Sequence, residues 1–115
     1  MHELSIMQSV LESLSEEVKN RGGGRITEVT LSVGQASGVN TEALEFAFEA
    51  LRPSSLLNNA QLTILTPPLL ARCEDCGHEF EPPELSLACP QCGGTGLVLS
   101  GRELLIERFV LEQED

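Results

Sequence analysis

The chain of 115 residues has no tryptophan, no tyrosine and only four phenylalanines. Proteins that hold nucleic acid stack bases on aromatic rings and follow phosphates with cations. Cations are scarce as well: seven Lys and Arg stand against eighteen Asp and Glu, a net charge of −11. Both deficits exclude DNA and RNA as partners, and a basic protein or a metal cation suits such a surface better. Long apolar runs are missing, so no segment is expected to cross a bilayer and no membrane partner is expected. His2 and Glu3 stand where a secretory signal would carry its basic residues, which makes the cytoplasm the expected compartment. Only two histidines occur, and no nucleophile has a base beside it in sequence. With no phosphate loop either, the chain reads as a binding protein and not an enzyme.

What is present is a globular composition, 41% hydrophobic and 22% charged. Leu4, Met7, Leu11, Leu14 and Val18, with Val10 beside them, recur at helical spacing, and Gly22, Gly23 and Gly24 end the run. Residues 26–33 predict a strand in which Thr27, Val29, Leu31 and Val33 alternate with Glu28, Thr30 and Ser32. Asn40 or Thr41 can cap a second helix bearing Leu44, Ala47, Phe48 and Leu51, which Pro53 closes. A second strand is expected over 60–66. A third is expected over 103–111, with Leu105, Phe109 and Leu111 turned one way. The order is α-β-α-β, an interruption from about Leu69 to Gly101, then β.

That interruption holds all four cysteines and five glycines, and Pro68, Pro82, Pro83 and Pro90 lie in or just before it. A segment so short cannot bury enough apolar surface to fold without a staple. Its cysteines form two Cys-x-x-Cys pairs, Cys73/Cys76 and Cys89/Cys92, separated by twelve residues and each followed by glycine, Gly77 and Gly93. Two such knuckles present four sulfurs at the tetrahedral geometry that structural zinc takes. Four thiolates close the coordination sphere, so the site would hold structure and would not catalyse. Two disulfides, or a redox pair, are the competing readings, and an intracellular chain with a doubled motif favours zinc over both. His78, two residues past Cys76, is read as exposed on the small ribbon.

Met1-His2-Glu3 can be an initiator followed by two polar surface residues. A bulky second residue such as His2 also keeps the initiator in place, leaving a free α-amine on Met1. That amine, the deprotonated His2 amide and His2 Nδ1 can chelate one ion, and amide donors in a square plane favour Ni(II) or Cu(II). A fourth position is left to the Glu3 amide, the Glu3 carboxylate, water or a partner. An open position suits a carrier, because a closed cage does not release its cargo. A cation at the start of a helix opposes the helix dipole, and Glu3 offsets that penalty.

Four stretches together resemble one family: Met1-His2-Glu3-Leu4-Ser5, Val33-Gly34-x-x-Ser37-x-Val39, Phe46-x-Phe48-Glu49, and the Cys-x2-Cys-x12-Cys-x2-Cys motif. They resemble HypA/HybF, the nickel-insertion accessory proteins of [NiFe]-hydrogenase maturation, over essentially the whole chain. The resemblance implies Ni(II) as transported cargo at the amino terminus, with Met1, His2 and Glu3 as its site, and a structural Zn(II) on Cys73, Cys76, Cys89 and Cys92. It implies an α+β fold: a mixed α/β nickel-binding domain of two helices on a three-stranded sheet (1–67 plus 102–115) with an inserted zinc-ribbon domain (68–101). As partners it implies the nickel-handling GTPase HypB and the hydrogenase large-subunit precursor, with urease also served in some bacteria. Monomer and homodimer both remain open. The alternative function is a zinc-ribbon adaptor between proteins that carries no nickel.

Overall fold

A computed structural model describes residues 2–113. The element order is α1 (Glu3–Asn20), β1 (Arg25–Val33), α2 (Thr41–Leu51), β2 (Gln61–Leu65), β3 (Leu70–Cys73), β4 (Glu79–Phe80), β5 (Gly96–Ser100) and β6 (Leu104–Glu112), with short 3-10 turns at Arg52–Ser54 and Pro83–Leu85. Two three-stranded sheets result, one in the order β2-β1-β6 and the other β4-β3-β5. The architecture is thus the α+β arrangement of two helices and a three-stranded sheet interrupted by a small cysteine-bearing sheet.

The chain forms two compact units. The first runs from the amino terminus to Leu31, through Val39–Ile64, and onward from Leu105; the second comprises Ser32–Gly38 and Leu65–Leu104. In the first, Met7 and Leu14 of α1, Ile26, Val29 and Leu31 of β1, and Leu44, Ala47 and Phe48 of α2 are buried. Leu57 and Ala60 join them. The spacing of Met7 and Leu14, two turns apart, makes one inward stripe on α1. Leu4, in the first turn, is half exposed instead of packed.

The ends of the helices follow from local chemistry. Asn40 caps α2, its side chain accepting from the Ala43 N–H at 2.9 Å. At the end of α1 the Gly23 N–H donates to the Val18 carbonyl (2.9 Å) and the Gly22 N–H to that of Lys19 (3.2 Å). That crossed pair is the Schellman arrangement, which satisfies carbonyls the helix leaves open.

Two strands depart from strict alternation. In β1 the buried set is Ile26, Val29, Leu31, Ser32 and Val33, so Ser32 is buried against the expected alternation and Thr27 is only half-buried. Ile26 and Val29 are three apart, so the period of two breaks between them. In β6 the half-buried residues are Ile106, Phe109, Val110 and Leu111, whereas Leu105, expected inward, is exposed.

The second unit is held by backbone as much as by side chains. The Gly34 N–H donates to the Glu103 carbonyl (2.8 Å), Gln35 N–H to Pro67 (3.0 Å) and Ala36 N–H to Gly101 (2.7 Å). The turn after β1 therefore grips both connections that lead into and out of the cysteine-bearing sheet. The approach is close enough that a Cβ on Gly34 would lie 2.2 Å from the Gly101 carbonyl carbon. Only glycine fits there. Gly34→Ala is expected to destabilise the protein by about 2–3 kcal/mol, through overpacking against backbone that cannot rotate away. Denaturant unfolding checks this, and a midpoint equal to that of the unaltered protein would contradict the clasp.

Candidate metal centres

Within the second unit, β3 pairs antiparallel with both neighbours, Ala71 against Phe80 and Cys73 against Gly96. This register carries Cys73 to the end of β3. The cluster of buried residues around this sheet is small, Ala71, Cys73, Phe80 and Cys89, with Leu87 packed on it. Two of these four buried residues are cysteines, so hydrophobic burial alone is small.

The two knuckles repeat the same backbone pattern. Cys73 N–H donates to the His78 carbonyl (2.9 Å) and Gly77 N–H to the Cys73 carbonyl (3.0 Å). Cys89 N–H likewise donates to Gly94 (2.8 Å), and Gly93 N–H to Cys89 (2.9 Å). Gly77 and Gly93 take φ of +76° and +77°, the left-handed region in which a side chain would be strained. The turns then aim backbone donors at sulfur: Asp75 N–H lies 3.4 Å from Cys73 Sγ, and Gly94 N–H 3.4 Å from Cys92 Sγ.

All four sulfurs lie within 4.8 Å of one another. The short approaches cross between the knuckles, Cys73 to Cys92 at 3.4 Å and Cys76 to Cys89 at 3.7 Å. A disulfide needs sulfurs about 2.05 Å apart, so these cysteines are free thiols. A Zn–S bond of about 2.3 Å gives a tetrahedron whose edge is roughly 3.8 Å. The donors and their spacing fit a tetrahedral thiolate-bound ion.

Electrostatics lead the same way. Burial opposes ionisation of Cys89, but the N–H groups of Cys92 and Gln91 and the neighbouring Cys76 and Cys92 sulfurs outweigh it, bringing the thiol down to about 7. At Cys92 the Gly94 N–H favours the thiolate, yet the sulfurs of Cys73 and Cys76 push the group up to about 12. Sulfurs this close ionise together only when a cation offsets their repulsion.

His78 is not among the clustered donors. It is half-buried, not exposed as its sequence context had indicated, and its ring stacks on Phe80 at 6.2 Å between centroids. Two residues apart on an extended segment, the rings share one face.

At the other candidate centre, Met1 lies outside the described residues. His2 is exposed at the N-cap position of α1, where its imidazole makes no capping hydrogen bond. Its carbonyl accepts from the Ile6 N–H (3.1 Å), so the residue is built into the helix start. Glu3 is the second residue of that start, and its carboxylate Oε2 accepts from the Asn40 N–H at 3.0 Å. This bond ties the beginning of α1 to the cap of α2. Sequence spacing cannot reveal it, because the partners stand 37 residues apart. The Asn40 N–H, followed by Glu3's own N–H, lowers the Glu3 pKa from its ordinary 4.5.

Because the folded value is lowered, the Glu3–Asn40 tie contributes its stability above the ordinary carboxylate pKa and loses it as pH falls through the folded value. The Asn40 amide resonance should therefore titrate with a midpoint below 4.5. An Asn40 amide that ignores acid would show that the tie does not form. At the cysteines, a strong chelator at neutral pH is expected to erase amide dispersion over residues 70–100, and Cys92→Ser to do so without chelator. Dispersion that survives metal removal would mean that backbone pairing suffices.

Comparison with known proteins identifies the family and the fold. Residues 1–111 match the family model HypA, described as hydrogenase/urease nickel incorporation, metallochaperone. Among relatives, the hydrogenase maturation factor HypA of Geotalea uraniireducens is 44% identical, over 97% of this chain and 100% of its own. That of Chlorobium luteolum is 38% identical over 99% and 98%. The solution structure of the Ni metallochaperone HypA from Helicobacter pylori superimposes with a TM-score of 0.71 at 27% identity, covering 99% of this chain and 100% of that one. By family match, by relatives spanning nearly its full length and by fold, the chain belongs to the HypA family of nickel-incorporation metallochaperones and hydrogenase maturation factors.

Proposed function

We propose that this chain binds Ni(II) at its amino terminus and, with the nickel-handling GTPase HypB, delivers it to the [NiFe]-hydrogenase large-subunit precursor in the cytoplasm. Catalysis forms no part of this role. The α/β domain (1–67 plus 102–115) carries the cargo, and the inserted ribbon (68–101) carries the structural zinc. The observation that carries the reading is the Glu3–Asn40 bond, which anchors the start of α1 while His2 beside it is exposed.

The donors follow from the chemistry of the terminus. The Met1 amine, the His2 amide and His2 Nδ1 chelate the ion. Glu3 commits Oε2 to Asn40, so the fourth position falls to the Glu3 amide, its other carboxylate oxygen, water or a group of the partner. That position makes release possible: a receiving ligand enters the coordination sphere before the others leave. Zinc on Cys73, Cys76, Cys89 and Cys92 supplies no chemistry to the transfer; it holds the four thiolates together and staples the ribbon.

Because the donors must lose protons, nickel affinity should rise with pH. Calorimetry and visible absorption on untagged, zinc-loaded protein test both points, beside His2→Ala and a variant with two extra N-terminal residues. The unaltered chain is expected to take up one nickel, and both variants to lose it. Equal binding by all three, or an affinity that ignores pH, would overturn the reading and leave the zinc-ribbon adaptor as the working model.

A further inference from the structure

Three of the four phenylalanines have packing roles. Phe48 and Phe80 are buried, and half-buried Phe109 lies under the Arg21 guanidinium at 5.5 Å. Phe46, on α2, is 77% exposed. Alanine there would favour the helix by a few tenths of a kcal/mol and would leave no aromatic ring in water. The fold therefore gains nothing visible from this side chain.

Its surroundings are as distinctive as its exposure. Glu42 and Glu49 lie one turn before and after it, Glu45 is adjacent, and all three are exposed. Glu49 is paired with Arg52 at 3.0 Å, while Arg52 also donates to the Ala60 carbonyl and covers the Phe48 ring. The cation at this end of α2 is thus drawn toward the helix's packed side. Glu42 and Glu45 keep their charge facing water, three residues apart on the helix, where like charges repel.

An aromatic anchor rimmed by carboxylates has one complementary surface, an apolar socket rimmed by lysine and arginine. A second copy of this chain does not supply it, because its net charge is −11 and it holds only seven Lys and Arg. We propose that the outward face of α2, with Phe46 as its anchor and Glu42 and Glu45 as its charged rim, is the docking surface for a protein partner whose apolar pocket is ringed by cations.

The position of this face gives the docking a purpose. Phe46 lies six residues beyond Asn40, about 9 Å along the helix axis. Asn40 is the residue whose N–H holds Glu3. A partner that grips Phe46 therefore sits on the helix whose cap holds Glu3, with the exposed His2 next to Glu3 in sequence. The inference rests on the nickel-delivery reading for its choice of partner. Its physical basis, an unpacked phenylalanine inside a carboxylate rim, is separate from that reading.

The test measures binding of the zinc-loaded full chain to HypB and, separately, to the hydrogenase large-subunit precursor at several salt concentrations. Phe46→Ala should weaken binding to at least one of them by about tenfold or more, as removal of a buried aromatic anchor does. Its circular dichroism and nickel stoichiometry should not change, since the side chain is exposed and is none of the proposed donors. The Glu42→Gln/Glu45→Gln double variant should flatten the salt dependence. Three results would each overturn the proposal: Phe46→Ala binding both partners as the unaltered chain does, unaltered chain that binds neither, or loss of nickel by Phe46→Ala. Failure of the nickel reading shows elsewhere, as absent cargo binding in the titration of the unaltered protein.

Discussion

Four sulfurs within 4.8 Å of one another are the constraint on which the cysteine-bearing half of the molecule depends. Left to themselves they repel as they ionise, and the opposed positions of Cys89 and Cys92, about 7 and about 12, express that conflict. A bound divalent cation turns the repulsion into attraction, and the ribbon then has a centre its few apolar residues cannot provide. The two knuckles reach this arrangement by one repeated device. Each combines a left-handed glycine, a turn closed on the first cysteine and an amide aimed at sulfur.

The amino-terminal site proposed for nickel obeys the opposite logic. A closed sphere of thiolates retains its metal, whereas a carrier needs donors that are held in place yet open to exchange. Here the holding is done by a side chain, Glu3, through a single bond to the amide that begins the α2 cap. His2 is then free of structural duty on its imidazole while its carbonyl takes part in the first turn of α1. Under the proposed nickel reading, the anchoring atoms, Glu3 Oε2 and the His2 carbonyl, are not the ones that would bind cargo.

Acidity gives the two centres a common setting. With eighteen carboxylates and seven cations, the chain attracts cations at any distance that salt does not screen, and it repels copies of itself. On most of the surface the carboxylates are solvated or paired with a neighbour, as Glu17 is with Arg21 and Glu79 with Arg72. Around Phe46 they frame an apolar group instead, and there general acidity becomes a shaped surface.

Much of this was legible in the sequence, because it depends on local spacing. Met7 and Leu14 mark the inward stripe of α1 by helical period, Asn40 announces a cap, and the doubled Cys-x-x-Cys motif carries its geometry in its own turns. Alternation failed at Thr27 and Leu105, where the strands do not keep a period of two against the core. Only the tertiary structure could decide that Glu3 meets Asn40, that Gly34 must be glycine because the Gly101 backbone passes against it, and that His78 lies on Phe80. It also left Phe46 unpacked while Phe48, two residues on, is buried. The division has a physical reason: caps, turns and knuckles are settled by residues within one turn of each other, whereas these contacts depend on where the chain returns.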